Sequence, residues 1–436
     1  MKSIVLLGAG SAVFTSGLLA DLISEGGEWD IRLMDIDPSN LDVAFLLAKR
    51  MIESQGAPIS LSRSLDRCEA IAGADVVVAT IAVGGRRAWE QDVLIPRKYG
   101  IFQPVGDTIM PGGIFRALRM IPTMVEIAKD VRKIAPDAHF FNYSNPMAAI
   151  CRGIRKAADV PVIGLCHGIP GTQRYLADFL GVDVGRCDFN WVGINHLTWI
   201  FEFRVDHTDA WPQVREKCEA LEAEGKPYGG DEQNPFSWEL FRIFGAFPAV
   251  LDRHVTEFFP QFFRSGDHYG KRLGVSRFGF EKTIQSGDEA FRRMADQAYK
   301  KSALDQTLFN RAEGEHEQLV DILSALDRKE ATTFSVIVPN TGQVHNLPRD
   351  FVLECPARIS AKGIHPLEIG TIPTGLSATV EKALYIIELT VEAALERDRK
   401  KLLQAIIMDG SMSSIQAAEN LTDEMIEIHK DYLDGW

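Results

Sequence analysis

A chain of 436 residues with 46% hydrophobic composition is long enough to bury a large core, as one large or two closely packed domains. Its net charge of −13, with no segment concentrating Lys and Arg, argues against a nucleic-acid partner but leaves room for a local basic pocket and a small anionic ligand. Six scattered cysteines, no signal-peptide pattern and no apolar run of membrane length give the expectation of a reduced cytoplasmic protein without a membrane partner.

The first residues, Ser3 to Leu7, form a continuous apolar run of the kind found in a buried strand. They feed a Gly8-Ala9-Gly10-Ser11 turn and an amphipathic stretch from about Phe14 to Ser24. Backbone amides at such a turn, with the helix dipole behind them, suit a dinucleotide diphosphate, although Val13 stands where the third glycine of the fingerprint belongs. A second strand, Asp30 to Asp35, ends in a carboxylate that can accept hydrogen bonds from the ribose hydroxyls and so favours NAD. Helix capping is the competing role for Asp35, with Asp37-Pro38 also able to cap.

Further buried strands are expected over Ala74 to Thr80 and from Ala138 through Pro146, with a helix over Ile114 to Ile134. The repeated strand and helix order through Gly164 reads as a doubly wound parallel sheet, a Rossmann-like domain over residues 1–200. Ligands bind beyond the carboxyl ends of such strands, where Asn142, Asn145, Cys166 and His167 fall. Pro111-Gly112-Gly113 opens a helix where amides could face an anion, with Arg116 and Arg119 one turn in. Cys166 and His196, each beside glycine where an apolar run ends, could meet at one metal ion if the two runs are neighbouring strands. From about Phe201 the pattern turns to mixed strands and long helices, expected to form a C-terminal α+β domain over 201–436. Its helices should lie near Glu289 to Lys301 and Val380 to Arg397, and its strands near Thr333 to Val338 and Phe351 to Leu353. The paired phenylalanines at 258–259 and 262–263 are read as core or subunit interface.

Together these stretches resemble glycoside hydrolase family 4, the NAD- and divalent-metal-dependent glycosidases. The resemblance runs through Gly8 to Ser11, Leu33 to Asp37, Pro111 to Gly113, Asn142 to Pro146, Cys166 to Gly168, Gly193 to His196 and Asn346 to Pro348. It implies oxidation-assisted elimination: NAD+ takes a hydride from C3 of the sugar, a base removes the acidified C2 proton, and the glycosidic oxygen leaves C1. Water then adds and the hydride returns, so the cofactor is not consumed.

The resemblance further implies Gly8, Gly10, Ser11, Asp35 and Asn142 as NAD contacts, and Cys166 and His196 as ligands of a divalent ion, with Mn2+ the first expectation. His254 could complete the metal shell or be a surface-loop histidine. Asn145 would bind sugar hydroxyls, His167 is the candidate general acid, and Asp252 is the candidate base with Tyr269 second. A homodimer or homotetramer is implied as well.

Histidine after the metal cysteine points within the family to free or acidic sugars rather than phosphosugars, and Gly168 departs from the glutamate expected in the α-galacturonidase branch. An acidic glycone needs a cation, for which Arg86, Arg87, Arg116, Arg253 and Arg264 are available. The expected substrate is an α-hexuronide, followed by a sulfoquinovoside and then a neutral α-glucoside or α-galactoside. A plain NAD-dependent 2-hydroxy-acid dehydrogenase and a non-catalytic NAD-binding regulator are the readings of other classes.

Overall fold

The computed structural model describes residues 1–11, 14–263, 279–300, 303–309 and 318–436. Six strands build the first half: β1 (Lys2–Leu7), β2 (Trp29–Met34), β3 (Ile59–Ser64), β4 (Val76–Ala79), β5 (His139–Asn142) and β6 (Ile163–Gly164). All five pairings among them are parallel, in the order β6-β5-β4-β1-β2-β3, which is the expected doubly wound sheet. Helices α1 (Phe14–Glu25), α2 (Pro38–Gln55), α3 (Arg67–Ile71), α4 (Gly85–Arg97), α5 (Met110–Ile134) and α6 (Met147–Ala158) connect the strands, and α7 (Gly168–Leu180) follows β6. Burial of both faces explains why β1 reads as a continuous apolar run: Ile4 through Leu7 are at most 1% exposed.

The second half comprises β7 (Cys187–Ile194), β8 (Leu197–Val205), β9 (Thr208–Asp209), α8 (Trp211–Ala223), α9 (Pro235–Phe244), β10 (Phe247–Ala249) and α10 (Asp252–Val255). It continues through α11 (Phe280–Tyr299), α12 (Leu319–Leu326), β11 (Thr332–Pro339), β12 (Val352–Ser360), β13 (Gly363–Pro366), α13 (Thr374–Glu396), α14 (Arg399–Asp409) and α15 (Ile415–Ile428). These strands extend the same sheet, to thirteen among the described residues, in the order β10-β8-β7-β12-β11-β6. The added pairings are antiparallel, with Ile337 opposite Gly164 and Glu354 opposite Gly193. Position 200, the expected domain boundary, lies inside β8.

The strands preceding Cys166 and His196 are therefore not neighbours. Strands β11 and β12 stand between β6 and β7, so the two runs are three strand spacings apart, on the order of 14 Å. The condition of adjacency is not met because the intervening pair comes from far along the chain. Phe258, Phe259 and Phe263 are buried as expected, with the rings of Phe259 and Phe263 edge-on to Phe236, whereas Phe262 is 38% exposed. Among the described residues, no helix is long and apolar enough to cross a membrane.

Candidate active site

The glycine turn after β1 is folded tightly onto the end of β2. Gly10 N donates to Asp35 Oδ2 at 2.8 Å, and a Cβ on Gly10 would stand 2.7 Å from Asn40 Cβ and 2.9 Å from that carboxylate oxygen. Asp35 Oδ1 accepts from Asp37 N at 2.9 Å, leaving lone pairs on a half-buried carboxylate at the strand's carboxyl end. Asp37, not Asp35, caps α2, accepting from Ser39 N at 2.8 Å and Asn40 N at 3.1 Å. Ser11 is half-buried and its Oγ accepts from Phe14 N at 3.4 Å. Asn142 is fully buried, and its amide closes its own loop by donating to Ser144 O at 3.0 Å and accepting from Ser144 N at 3.0 Å.

Beyond the carboxyl edge of the sheet, Asp107, His196 and His254 gather with one potential ligand atom each, all within 4.8 Å of one another. His196 occupies the two-residue turn between β7 and β8 at φ 74, a backbone conformation that a histidine adopts only under local constraint. His254 comes from α10, and its ring lies 3.9 Å from that of His196, centroid to centroid. It therefore lies beside His196 rather than on a surface loop. Asp107 comes from the loop between α4 and α5, and its Oδ1 stands 3.8 Å from Nδ1 of each histidine.

The Thr108 hydroxyl donates to Asp107 Oδ1 at 2.8 Å and meets His196 Nδ1 at 2.5 Å. Having one proton, it must accept from Nδ1, which leaves the lone pair of His196 on Nε2. Burial pushes both imidazoles below their ordinary pKa, His254 well below, toward the neutral form that ligates metals. Burial opposes the charge on Asp107, but the neighbouring histidines, Arg116 and Thr108 outweigh it and hold the carboxyl below its usual range. Nδ1 of His254 is buried and has no hydrogen-bond partner among the described residues. Two neutral imidazoles, one of them with this unpartnered ring nitrogen, and a carboxylate fit a divalent first-row ion.

Surrounding groups fix this centre. Glu257 Oε1 accepts from Val105 N at 2.9 Å and Gly106 N at 2.7 Å, holding the loop that carries Asp107. Burial, and then Asp107, pushes the Glu257 carboxyl up to about 8. Asn145 Nδ2 donates to Asp107 Oδ2 at 3.2 Å, and the Asn145 carbonyl accepts from Arg116 Nε at 3.0 Å. The amides at the start of α5 do not lie open to an anion, because Gly112 N donates to Gln103 Oε1 at 3.0 Å and Gly113 N to Ile109 O at 3.1 Å.

Cys166 is half-buried at the start of α7, where Gly168 N approaches its Sγ at 3.4 Å, and it stands outside the three-residue cluster. Gln318 Nε2 donates to its carbonyl at 3.2 Å. His167, the residue before α7, lies near enough for its charge to act on His196, His254 and Glu354. Asp252 is 1% exposed, and its oxygens accept from Phe236 N at 2.9 Å and from Ser237 N and Oγ at 2.7 Å each, at the start of α9. Tyr269 and Arg264 lie outside the described residues. Arg86 and Arg87 both pair with Asp288 at 2.6 Å, and exposed Arg253 donates to Thr283 Oγ1 at 3.0 Å. Arg116, of these four cations, is the one whose charge acts on Asp107.

Asp107, Thr108 and Glu257 escaped the reading from sequence. Asp107 and Thr108 lie between Gly106 and the Pro111 helix start, a turn-rich loop that does not single out one carboxylate. Glu257 looks like any acid three residues after a histidine.

A dinucleotide-type sheet opening onto a buried carboxylate and histidine centre defines a class of enzyme that joins a nucleotide cofactor to a metal-assisted reaction. The profile of the family 4 glycosyl hydrolases matches residues 3–182, and that of their C-terminal domain residues 191–412; the chain belongs to this family. It is similar to an α-galacturonidase of Thermoanaerobacterium saccharolyticum, at 31% identity with 100% of this chain and 97% of that one covered. Similarity to an α-galactosidase of Bacillus subtilis is 29%, over 99% of both chains. The fold is shared with a Thermotoga maritima 6-phospho-β-glucosidase solved with manganese, NAD+ and glucose-6-phosphate (TM-score 0.80, 22% identity, 99% of each chain).

Proposed function

We propose that this family 4 glycosidase uses NAD and a divalent ion, Mn2+ first, to hydrolyse α-glycosides of an acidic hexose, a galacturonide or a glucuronide. The observation that carries the acidic glycone is Arg116. Its guanidinium is half-buried beside Asp107, and its Nη1 and Nη2 donate no hydrogen bond to any described residue. That planar fork matches a carboxylate in two parallel bonds. The similarity to an α-galacturonidase supports the same class.

When bound, NAD+ supplies the hydride acceptor for C3 and the divalent ion a Lewis acid for O2 and O3 of the sugar. Gly8, Gly10 and Ser11 shape the turn for the diphosphate, Asp35 accepts from the ribose hydroxyls, and Asn142 holds the loop beside them. Asp107, His196 and His254 hold the metal, with Cys166 a further ligand by the family's pattern. Asn145 orients the sugar hydroxyls while its own amide steadies Asp107. His167 holds the proton for the departing glycosidic oxygen. For the base at C2, the commitment of Asp252 to α9 supports Tyr269 as the base and Asp252 as an anchor. Assembly into a homodimer or homotetramer is carried by the family resemblance.

The test is a panel of nitrophenyl α-glycosides with uronic, sulfonated, phosphorylated and neutral glycones, supplied with NAD+ and Mn2+. The α-hexuronide should have the highest kcat/KM, without net NADH, and Arg116→Met should raise KM for the uronide far more than for a neutral glycoside. A neutral glycoside preferred by both wild type and variant would remove the acidic-sugar reading. Stoichiometric NADH without release of nitrophenol would remove the glycosidase reading itself.

A further inference from the structure

Gly168 opens α7 two residues after Cys166, and the space where its side chain would be is already taken. A Cβ built there would lie 1.8 Å from Cγ1 of Val250 and 3.1 Å from its Cβ. The φ of Gly168 lies outside the left-handed region, so the contact rather than the backbone forbids a side chain. Val250 is half-buried and its β-branched side chain is restricted at χ1, so a side chain at 168 either forces it into a poorer rotamer or displaces it. The same Cβ would stand 3.4 Å from Cys166 Sγ, an ordinary contact that leaves the cysteine in place.

Val250 is held from the other side by the sheet. The preceding Ala249 pairs with Thr198, two residues beyond His196. Leu251 then turns at φ 69, and α10 carries His254 onto the His196 ring. Only three residues separate Val250 from His254, so a displacement forced at Val250 passes directly into the ligand.

We infer that Gly168 and Val250 form a steric couple that admits His254 to the metal centre, so the missing side chain at 168 is a positioning determinant for that ligand. The inference rests on Asp107, His196 and His254 being the metal centre. Position 168 thereby exchanges side-chain volume beside His167 for a histidine in the metal shell.

The test is titration of the full-length chain with Mn2+, following free Mn2+ by electron paramagnetic resonance, with NAD+ affinity and Tm measured alongside. Gly168→Ala should bind Mn2+ on the order of 10- to 100-fold more weakly, the range seen when the support of a metal ligand is lost. NAD+ affinity should be unchanged. Adding Val250→Ala leaves only the 3.1 Å contact to Cβ, which a shift of a few tenths of an ångström relieves, so the double variant should recover most of the loss. In a His254→Ala background, Gly168→Ala should cause no further weakening. Wild-type affinity in Gly168→Ala, or a double variant that binds no better than Gly168→Ala, overturns the couple. Should Gly168→Ala fail to fold, recovery of both fold and Mn2+ binding in the double variant supports the couple, and failure to recover overturns it. A wild-type chain that binds no Mn2+ at all overturns the metal-centre reading beneath it.

Discussion

The single proton on the Thr108 hydroxyl decides which nitrogen His196 presents, because an oxygen that donates to Asp107 must accept from Nδ1. Thr108→Val removes that control while keeping the shape, and should weaken Mn2+ binding roughly 10-fold with NAD+ affinity intact. Asp107→Asn should weaken it further, since it removes the one carboxylate of the cluster. Protons compete with the metal for the imidazoles, and burial holds both histidines below the ordinary value of 6.5. With Cys166 replaced by Ser, so that no thiol competes for protons, Mn2+ affinity should therefore stay level as pH falls through about 6.5 and drop only in more acid solution, as a pH series of the same titration would show. A marked loss near 6.5 would mean imidazoles exposed to water. At this scale the sequence revealed residues with a recognisable neighbourhood: Cys166 and His196 sit beside glycines at the ends of apolar runs, and Asp35 ends a strand about twenty residues after the glycine turn. Asp107 has no such signature, since its partners are brought from residues 196 and 254 by the fold.

At the scale of elements, Asp252 ties α10 to the first turn of α9 through both carboxylate oxygens. Asp252→Ala leaves buried amides unpaired and should destabilise the fold by about 2 kcal/mol in denaturant unfolding. If Tyr269 is the base, Asp252→Asn should retain exchange of the sugar's C2 proton with solvent, whereas Tyr269→Phe should abolish it. Strand β12 brings a second buried acid, Glu354, which accepts from Thr198 Oγ1 at 2.7 Å and Ser335 Oγ at 3.2 Å. Burial raises its pKa from 4.5 to about 7, so in that window the unfolded chain carries fewer protons there than the folded one. This group then subtracts stability as pH rises from about 4.5 to about 7, by on the order of 3 kcal/mol at most. Glu354→Gln should flatten that part of the Tm-against-pH curve. The parallel strands were legible because each is a short apolar run bounded by turn residues. The helices expected near Glu289 and Val380 begin earlier, at Phe280 and Thr374, where polar residues dilute the periodic pattern. Strand order was not legible beyond β6, because pairing between Ile337 and Gly164 depends on residues far apart in the chain.

The whole molecule is bound through one sheet, with α13 and α14 from the second half packed on α5 and the apolar core continuous from β1 to α15. Calorimetry should accordingly show one cooperative transition, and a chain ending after residue 200 should fail to reach it because β7 would lose β12 and part of its pairing with β8. Two separate transitions would show halves that fold independently. The seating of β11 and β12 between β6 and β7 also orders events during synthesis. Until residue 339 has left the ribosome, β6 presents an unpaired edge, and until residue 360 has followed, the strands that carry the His196 turn have no sheet link to the cofactor half. The nascent chain thus passes through a stage in which its nucleotide half is largely complete but its reaction centre is not yet joined to it. That stage is where chaperone capture or edge-to-edge association should concentrate.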